Sequence, residues 1–169
     1  MSRFRLAAAT VALVATSALA ARPAAAQEAG IAVGAKAPDV AVTTLDGKPA
    51  RLSQFIGKGP VVLEFWASWC GNCKQLEPAL AKAQAALGPQ VTWIAVAVSA
   101  NQTPQRVAAY MARHKLPVTM LYDATGAATD AYDVPTTSYV VAIDRSGTVV
   151  YTGSGGTQDL LAAARKALR

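Results

Sequence analysis

The chain has 169 residues, of which 53% are hydrophobic and 15% charged. That length suits one domain, and that composition excludes a disordered chain and is ample for one packed core. The formal net charge of +6 overstates how basic the working protein is, because Arg3, Arg5 and Arg22 lie in an N-terminal segment that reads as removable, and thirteen basic and ten acidic residues follow it. No lysine–arginine cluster occurs, so the sequence points to no nucleic-acid partner.

Residues 1–26 read as a secretory signal peptide. Arg3 and Arg5 form a short basic region, Leu6 to Ala21 is wholly apolar or small, and Ala24-Ala25-Ala26 offers a small-x-small cleavage pattern before Gln27. The apolar run is shorter than the roughly 20 residues of a membrane span. The expectation is cleavage near Ala26 and a periplasmic or otherwise extracytoplasmic protein, with an uncleaved membrane anchor as the alternative. Residues 27–169 then form a single domain.

Gln27 to about Pro38 reads as a flexible small-residue lead-in. Val40–Leu45 is a strand candidate, Asp46-Gly47 a turn, and Leu52–Phe55 a single helical turn. Val61–Ala67 is a near-continuous apolar run, as in a parallel strand covered on both faces. Leu76, Leu80, Ala83 and Leu87 then form one helical stripe from about Cys70 to Leu87, with a kink expected at Pro78 and a stop at Gly88-Pro89. Val91–Val98 is a second buried strand. Thr103-Pro104 opens a helix whose face carries Val107, Tyr110, Met111 and His114. Pro117–Asp123 reads as a strand, and Ala127–Asp133 as a brief helix or loop. Ser138–Asp144 and Thr148–Thr152 form a hairpin through Arg145-Ser146-Gly147. Thr157 is placed to cap a last helix with Leu160, Leu161, Ala164 and Leu168 inward. The order is βαβαβ, then a β-hairpin and a closing helix, which implies an α/β fold with a central sheet covered on both faces.

Cys70 and Cys73 are the only cysteines. An even cysteine count in an exported chain usually marks a structural disulfide, but a loop this short is a poor staple, so the spacing favours chemistry. The pair sits at a strand-to-helix junction, where residues three apart share a side at a Cα separation compatible with a disulfide. Free N–H groups and the helix dipole stabilise a thiolate there. Cys70 is therefore expected to attack, with a lowered pKa. Cys73, one turn deeper, is expected to resolve the mixed disulfide. Gly71 leaves room for a partner backbone.

The segment Phe65-Trp66-Ala67-Ser68-Trp69-Cys70-Gly71-Asn72-Cys73-Lys74, with Pro78 five positions later, resembles the thioredoxin active-site segment. Val134-Pro135-Thr136-Thr137 before a strand resembles that family's cis-proline loop. Ala37-Pro38-Asp39, the Leu52–Phe55 turn and the Asp144–Gly147 hairpin are similar to the exported TlpA-like (ResA-like) branch. The resemblance spans about Gly34 to Leu168. It implies a thioredoxin fold, with a central mixed β-sheet, helices on both faces and an N-terminal extension. It also implies a thiol–disulfide oxidoreductase that needs no cofactor beyond the Cys70–Cys73 pair.

By the same resemblance Pro135 is cis, presenting the carbonyl and N–H of Val134 to an extended substrate, and Glu64 assists proton transfer at Cys73. Residues alone leave two other readings open: Pro135 opening an edge strand, and Glu64 reaching solvent from an edge position. Trp69, Gly71, Asn72, Val134 and Pro135 are the candidate substrate-binding residues. Asn72 departs from the proline or histidine common between the cysteines. Leu76 stands where many TlpA-like proteins carry an acid, with Glu77 one residue later, so a family role for that acid carries over to neither.

The resemblance implies protein disulfides or dithiols as substrates, among them apocytochrome c haem-binding cysteines, and a membrane electron donor for re-reduction. The protein is expected to be a monomer. Two alternatives stand beside reduction: a thiol oxidase or isomerase for exported proteins, and a copper(I) chaperone using the two thiolates. His114, the only histidine, reads as structural, near the C-terminus of its helix. Trp66 and Trp93 read as core, Lys74 as a solvated helix residue, and the glycine-rich Gly153–Gly156 as a flexible connection.

Overall fold

The computed structural model describes residues 29–169; the expected signal peptide at 1–26 lies outside them. Seven strands make one sheet: β1 (Ala41–Thr44), β2 (Pro49–Arg51), β3 (Val61–Trp66), β4 (Thr92–Val98), β5 (Thr119–Asp123), β6 (Tyr139–Ile143) and β7 (Val149–Gly153). Their order across the sheet is β2-β1-β5-β4-β3-β6-β7. β3, β4 and β5 run parallel, and the remaining pairings are antiparallel. All six residues of β3 are buried, because it lies between β4 and β6 with both faces covered. Glu64 therefore occupies a central strand, which removes the edge-position reading.

Four helices complete the domain: α1 (Gly71–Leu87), α2 (Pro104–His114), α3 (Ala127–Ala131) and α4 (Leu160–Ala167). The β3–α1–β4 and β4–α2–β5 crossovers step the same way across the sheet. Right-handed connection places both helices on one face. Side chains alternate along a strand, and β3 displays the result: Trp66 packs edge-on against Tyr110 of α2, while Phe65 packs against Tyr132 just past α3. α1 carries its stripe of Leu76, Leu80, Ala83 and Leu87 into a core shared with Leu160, Ala164 and Ala167 of α4. Thr103 caps α2, accepting from the Arg106 N–H, with Pro104 in the first turn.

Several sequence expectations need correction. β2 was not anticipated. α4 is capped by Asp159, whose carboxylate accepts from the Ala162 N–H, not by Thr157. Leu161 is only partly buried and Leu168 is exposed, while Ala163 and Ala167 face inward. The small side chains let α4 lie close to the sheet. The lead-in is pinned: Ile31 N–H donates to the Tyr132 carbonyl, Gly34 and Ala37 to Val149 and Gly147, and Val149 to Ala35.

The glycine-rich segment is also held. Gly155 N–H donates to Ser138 Oγ, and the Gln158 amide donates to the carbonyls of Ser138 and Gly155. Gly156 lies so close to α1 that a Cβ there would fall 2.7 Å from the Gln75 Cβ, so the close approach favours glycine. The ties to Ser138 and the approach to Gln75 join residues far apart in sequence, beyond the reach of local composition.

Candidate active site

The C-terminal end of β3 delivers the chain to the start of α1, the sheet end where α/β proteins place their sites. Cys70 is the N-cap of α1, in extended conformation. The Cys73 N–H donates to Cys70 Sγ at 3.0 Å, one of the donors that a helix start leaves free. The two cysteines form a disulfide with a Cα separation of 5.3 Å. Cys70 is 8% exposed and Cys73 2%. On reduction, the positive end of the 17-residue helix α1 and that N–H favour negative charge on Cys70. Gly71, Asn72 and Lys74 are exposed on the first turn, and nothing lies within 4 Å of where a Gly71 Cβ would stand.

The turn between β3 and α1 is held from the loop after β4. Gln102, buried, accepts from the Ser68 N–H at 2.9 Å and donates to the Val98 carbonyl. Its own carbonyl accepts from the Tyr122 hydroxyl at 3.0 Å. Trp69 is 46% exposed beside Cys70, and its ring N–H donates to the Ala100 carbonyl at 2.8 Å. The indole is thus anchored through its ring N–H while the residue stays exposed to solvent. Trp66 and Trp93 are core.

The loop between α3 and β6 comes to the same end of the sheet, because Ser138 N–H donates to the Phe65 carbonyl and Tyr139 pairs with Phe65. The expectation of a cis Pro135 is corrected: among the described residues no peptide bond is cis. The loop turns instead through left-handed residues at both ends, Asp133 (φ 46°) and Ser138 (φ 61°). Pro135 is exposed and Val134 partly buried. The Val134 N–H is also not free for a substrate, since it donates to the Thr129 carbonyl at 3.0 Å.

Glu64 is 9% exposed, and its Oε1 has no hydrogen-bond partner. Across the sheet it is flanked by Ala95 and Val140, neither of which offers a polar side chain. Burial pushes its carboxyl up to about 8, and the neighbouring Glu77 charge adds to the shift. A carboxyl of that proton affinity is matched to exchange a proton with a thiol.

Sequence reasoning missed Gln102, Ser138 and Gln158 as supports of the site. It also missed the contacts of Glu77, which accepts from the Tyr110 hydroxyl and pairs with His114. Those partners lie 33 or more positions away, and no local motif marks them.

Comparison with known proteins agrees with this geometry. Residues 32–168 match the redoxin family model. The chain is 33% identical to the thioredoxin-like protein YneN of Bacillus subtilis over 73% of this chain and 72% of that one. It is 30% identical to the thiol-disulfide oxidoreductase ResA of Geobacillus kaustophilus over 79% and 77%. Among solved structures, a putative thiol:disulfide interchange protein DsbE from Chlorobium tepidum superposes with a TM-score of 0.68 at 30% identity, over 79% of this chain and 99% of that one. A secreted Mycobacterium tuberculosis disulfide oxidoreductase homologous to DsbE gives 0.62 at 30% identity, over 76% and 94%.

Proposed function

The chain belongs to the redoxin family and is a thiol–disulfide oxidoreductase of the ResA and DsbE type, and from that premise we propose that it works outside the cytoplasm as a reductant of protein disulfides. Reduced Cys70 attacks one sulfur of the substrate disulfide. That S–S bond breaks, the departing substrate sulfur takes a proton, and a mixed disulfide forms on Cys70. Cys73 then passes its proton to Glu64 and attacks Cys70 Sγ, so that the Cys70–Cys73 bond forms, the mixed disulfide breaks, and the remaining substrate sulfur leaves and takes up a proton. The products are a substrate dithiol and the Cys70–Cys73 disulfide, so two electrons have moved to the substrate. The two sulfurs carry those electrons, no further cofactor enters, and a membrane electron donor restores the dithiol.

The observation that carries this reading is a disulfide at a helix N-terminus, in a chain that also buries an unpartnered carboxyl in the strand leading to it. Trp69, Gly71, Asn72 and the Val134–Pro135 loop are the proposed substrate contacts. Export follows from the signal-like residues 1–26, leaving 27–169 as a monomeric domain, and is supported by the secreted M. tuberculosis relative. Cytochrome c maturation, with haem-binding cysteines as substrates, is the proposed setting.

Cys73→Ser removes the displacing sulfur, so mixed disulfides are expected to accumulate on Cys70 with extracytoplasmic cysteine proteins, releasable by dithiothreitol. If none accumulates, the reductase reading fails. Equilibration with glutathione fixes the direction. A potential close to the roughly −270 mV of thioredoxin supports reduction, and one well above it moves the protein to the oxidase or isomerase class.

A further inference from the structure

The loop that carries Val134 and Pro135 is gripped from outside by residues 30–38. Tyr132, just before the loop, has no exposed surface, so its polar groups need partners within the protein. Ile31 and Pro38 supply them. The Ile31 N–H donates to the Tyr132 carbonyl at 3.0 Å, and the Tyr132 hydroxyl donates to the Pro38 carbonyl at 3.0 Å. Asp133 follows in the left-handed conformation, which a non-glycine residue keeps only where its surroundings hold it. Its carboxylate accepts from the Gly30 N–H at 3.4 Å. At the far end of the loop, Tyr139 lies against Gly30, where a Cβ would fall 2.2 Å from the phenol oxygen and 2.6 Å from the ring carbon bearing it. Gly30 also has φ 111°, so close approach and backbone both call for glycine. The Tyr132 and Tyr139 rings pack on Phe65, with centroids 5.4 and 6.2 Å away. Ile31 and Val134 pack against the buried cluster that includes Cys70 and Cys73.

We propose that residues 30–38 are a positioning strap for substrate recognition: by holding Tyr132 and Asp133 at one end of the loop and Tyr139 at the other, they fix the Val134–Pro135 surface that an extended substrate polypeptide meets. The inference rests on the reading of Val134 and Pro135 as substrate contacts. The loop has ties of its own, from the Val134 N–H to Thr129 and from the Ser138 N–H to Phe65. The strap adds bonds from a segment 94 to 103 positions away. A surface already ordered in the free protein loses less freedom when a partner binds. That gain applies to a polypeptide, which lies across the loop. A small disulfide needs only the Cys70 sulfur and gains nothing. Gly30, Ile31 and Pro38 act through the loop, as positioning residues.

The test compares a protein disulfide with a small one. Reduced full-length protein is mixed, in single turnover, with excess insulin or with an aryl disulfide whose released thiol absorbs visible light. Insulin reduction is read by acid quench and thiol labelling. With the aryl disulfide, the first release reports attack by Cys70, and the second reports displacement by Cys73. Gly30→Ala drives the strap away from Tyr139. It is expected to slow reduction about tenfold at low insulin concentration, through a raised half-saturation with the saturating rate within about twofold of wild type. Both aryl phases are expected to stay within about twofold as well. Tyr132→Phe deletes only the hydroxyl that reaches Pro38, and is expected to act the same way by about threefold. Because it removes one atom, it keeps the test decisive where Gly30→Ala fails to fold.

Equal losses with insulin and with the aryl disulfide make the strap a general support of the fold and overturn the inference. Insulin kinetics unmoved in both variants, while Pro135→Ala slows insulin reduction, overturn the inference and leave the reading of the loop intact. Insulin kinetics unmoved in Val134→Ala and Pro135→Ala as well overturn both. A loss confined to Gly30→Ala overturns the part assigned to Pro38.

Discussion

Asp123 and Glu64 are the two buried carboxyl side chains among the described residues, and they project from opposite faces of the sheet. The pairing of Glu64 with Ala95, and of Ala95 with Met120, puts Asp123 on the other side. Asp123 is fully satisfied. It accepts from the Ala128 and Thr129 N–H groups and from the Thr129 hydroxyl, at 3.2, 2.8 and 2.8 Å. Those bonds fix the beginning of α3. Glu64 has an oxygen with no partner. Burying a polar group without a partner costs free energy, so Glu64 weakens the fold where Asp123 organises it. Burial alone says little about a carboxyl, and its unmet hydrogen bonds distinguish chemistry from scaffolding.

The largest expected effect comes from removing the Glu64 charge. Its carboxyl holds its proton in the fold up to about pH 8, against an ordinary value of 4.5. The folded state therefore binds a proton that the unfolded chain releases. That contribution is complete below the lower value and disappears as pH rises to the upper one. Across this window the oxidised wild type should lose roughly 4 kcal/mol relative to Glu64→Gln, read from urea unfolding at about pH 5 and about pH 9. Parallel pH dependence in the two proteins would put Glu64 in contact with water and erase its difference from Asp123.

Asp123→Ala tests the opposite member. It strands two backbone N–H groups and a hydroxyl, and about 3 kcal/mol should be lost, with the pH profile of Cys73 displacement unmoved. A shifted profile without loss of stability would place Asp123 in the chemistry and break the contrast from the other side.

The sequence made one side of this comparison legible and hid the other. The all-apolar run of β3 interrupted by Glu64, the tryptophan-flanked cysteine pair and the Leu76–Leu87 stripe are local signals, and the structure places them on a central strand, a helix start and a core face. β2 escaped because Ala50 is its only inward residue, too little to show a period. The cap of α4 went to Asp159 rather than Thr157 because both are good caps and only the packing of the alanine face decides. The cis expectation at Pro135 came from resemblance, whereas the loop is shaped by its ties to Thr129 and Phe65. Gln102, Ser138 and the partners of Glu77 are tertiary contacts, for which composition and spacing carry no trace.

Gln102 lies between the two classes, since it is buried and satisfied like Asp123 yet holds the turn that presents Cys70. Its side chain links the Ser68 N–H to the Val98 carbonyl, so one amide couples the cysteine turn to the end of β4. Gln102→Ala leaves that N–H and carbonyl without their partner, and about 1–2 kcal/mol should be lost. Because Trp69 remains anchored through Ala100, the turn should loosen rather than detach. The rate of Cys70 attack should then fall severalfold, while the pH profile of Cys73 displacement stays with Glu64. Unfolding midpoints and the two phases of aryl disulfide reduction separate these effects. An unaltered attack rate in a destabilised protein would make Gln102 a scaffold residue in the manner of Asp123. A slowed attack at full stability would make the geometry of the turn, rather than its energy, the quantity that Gln102 maintains.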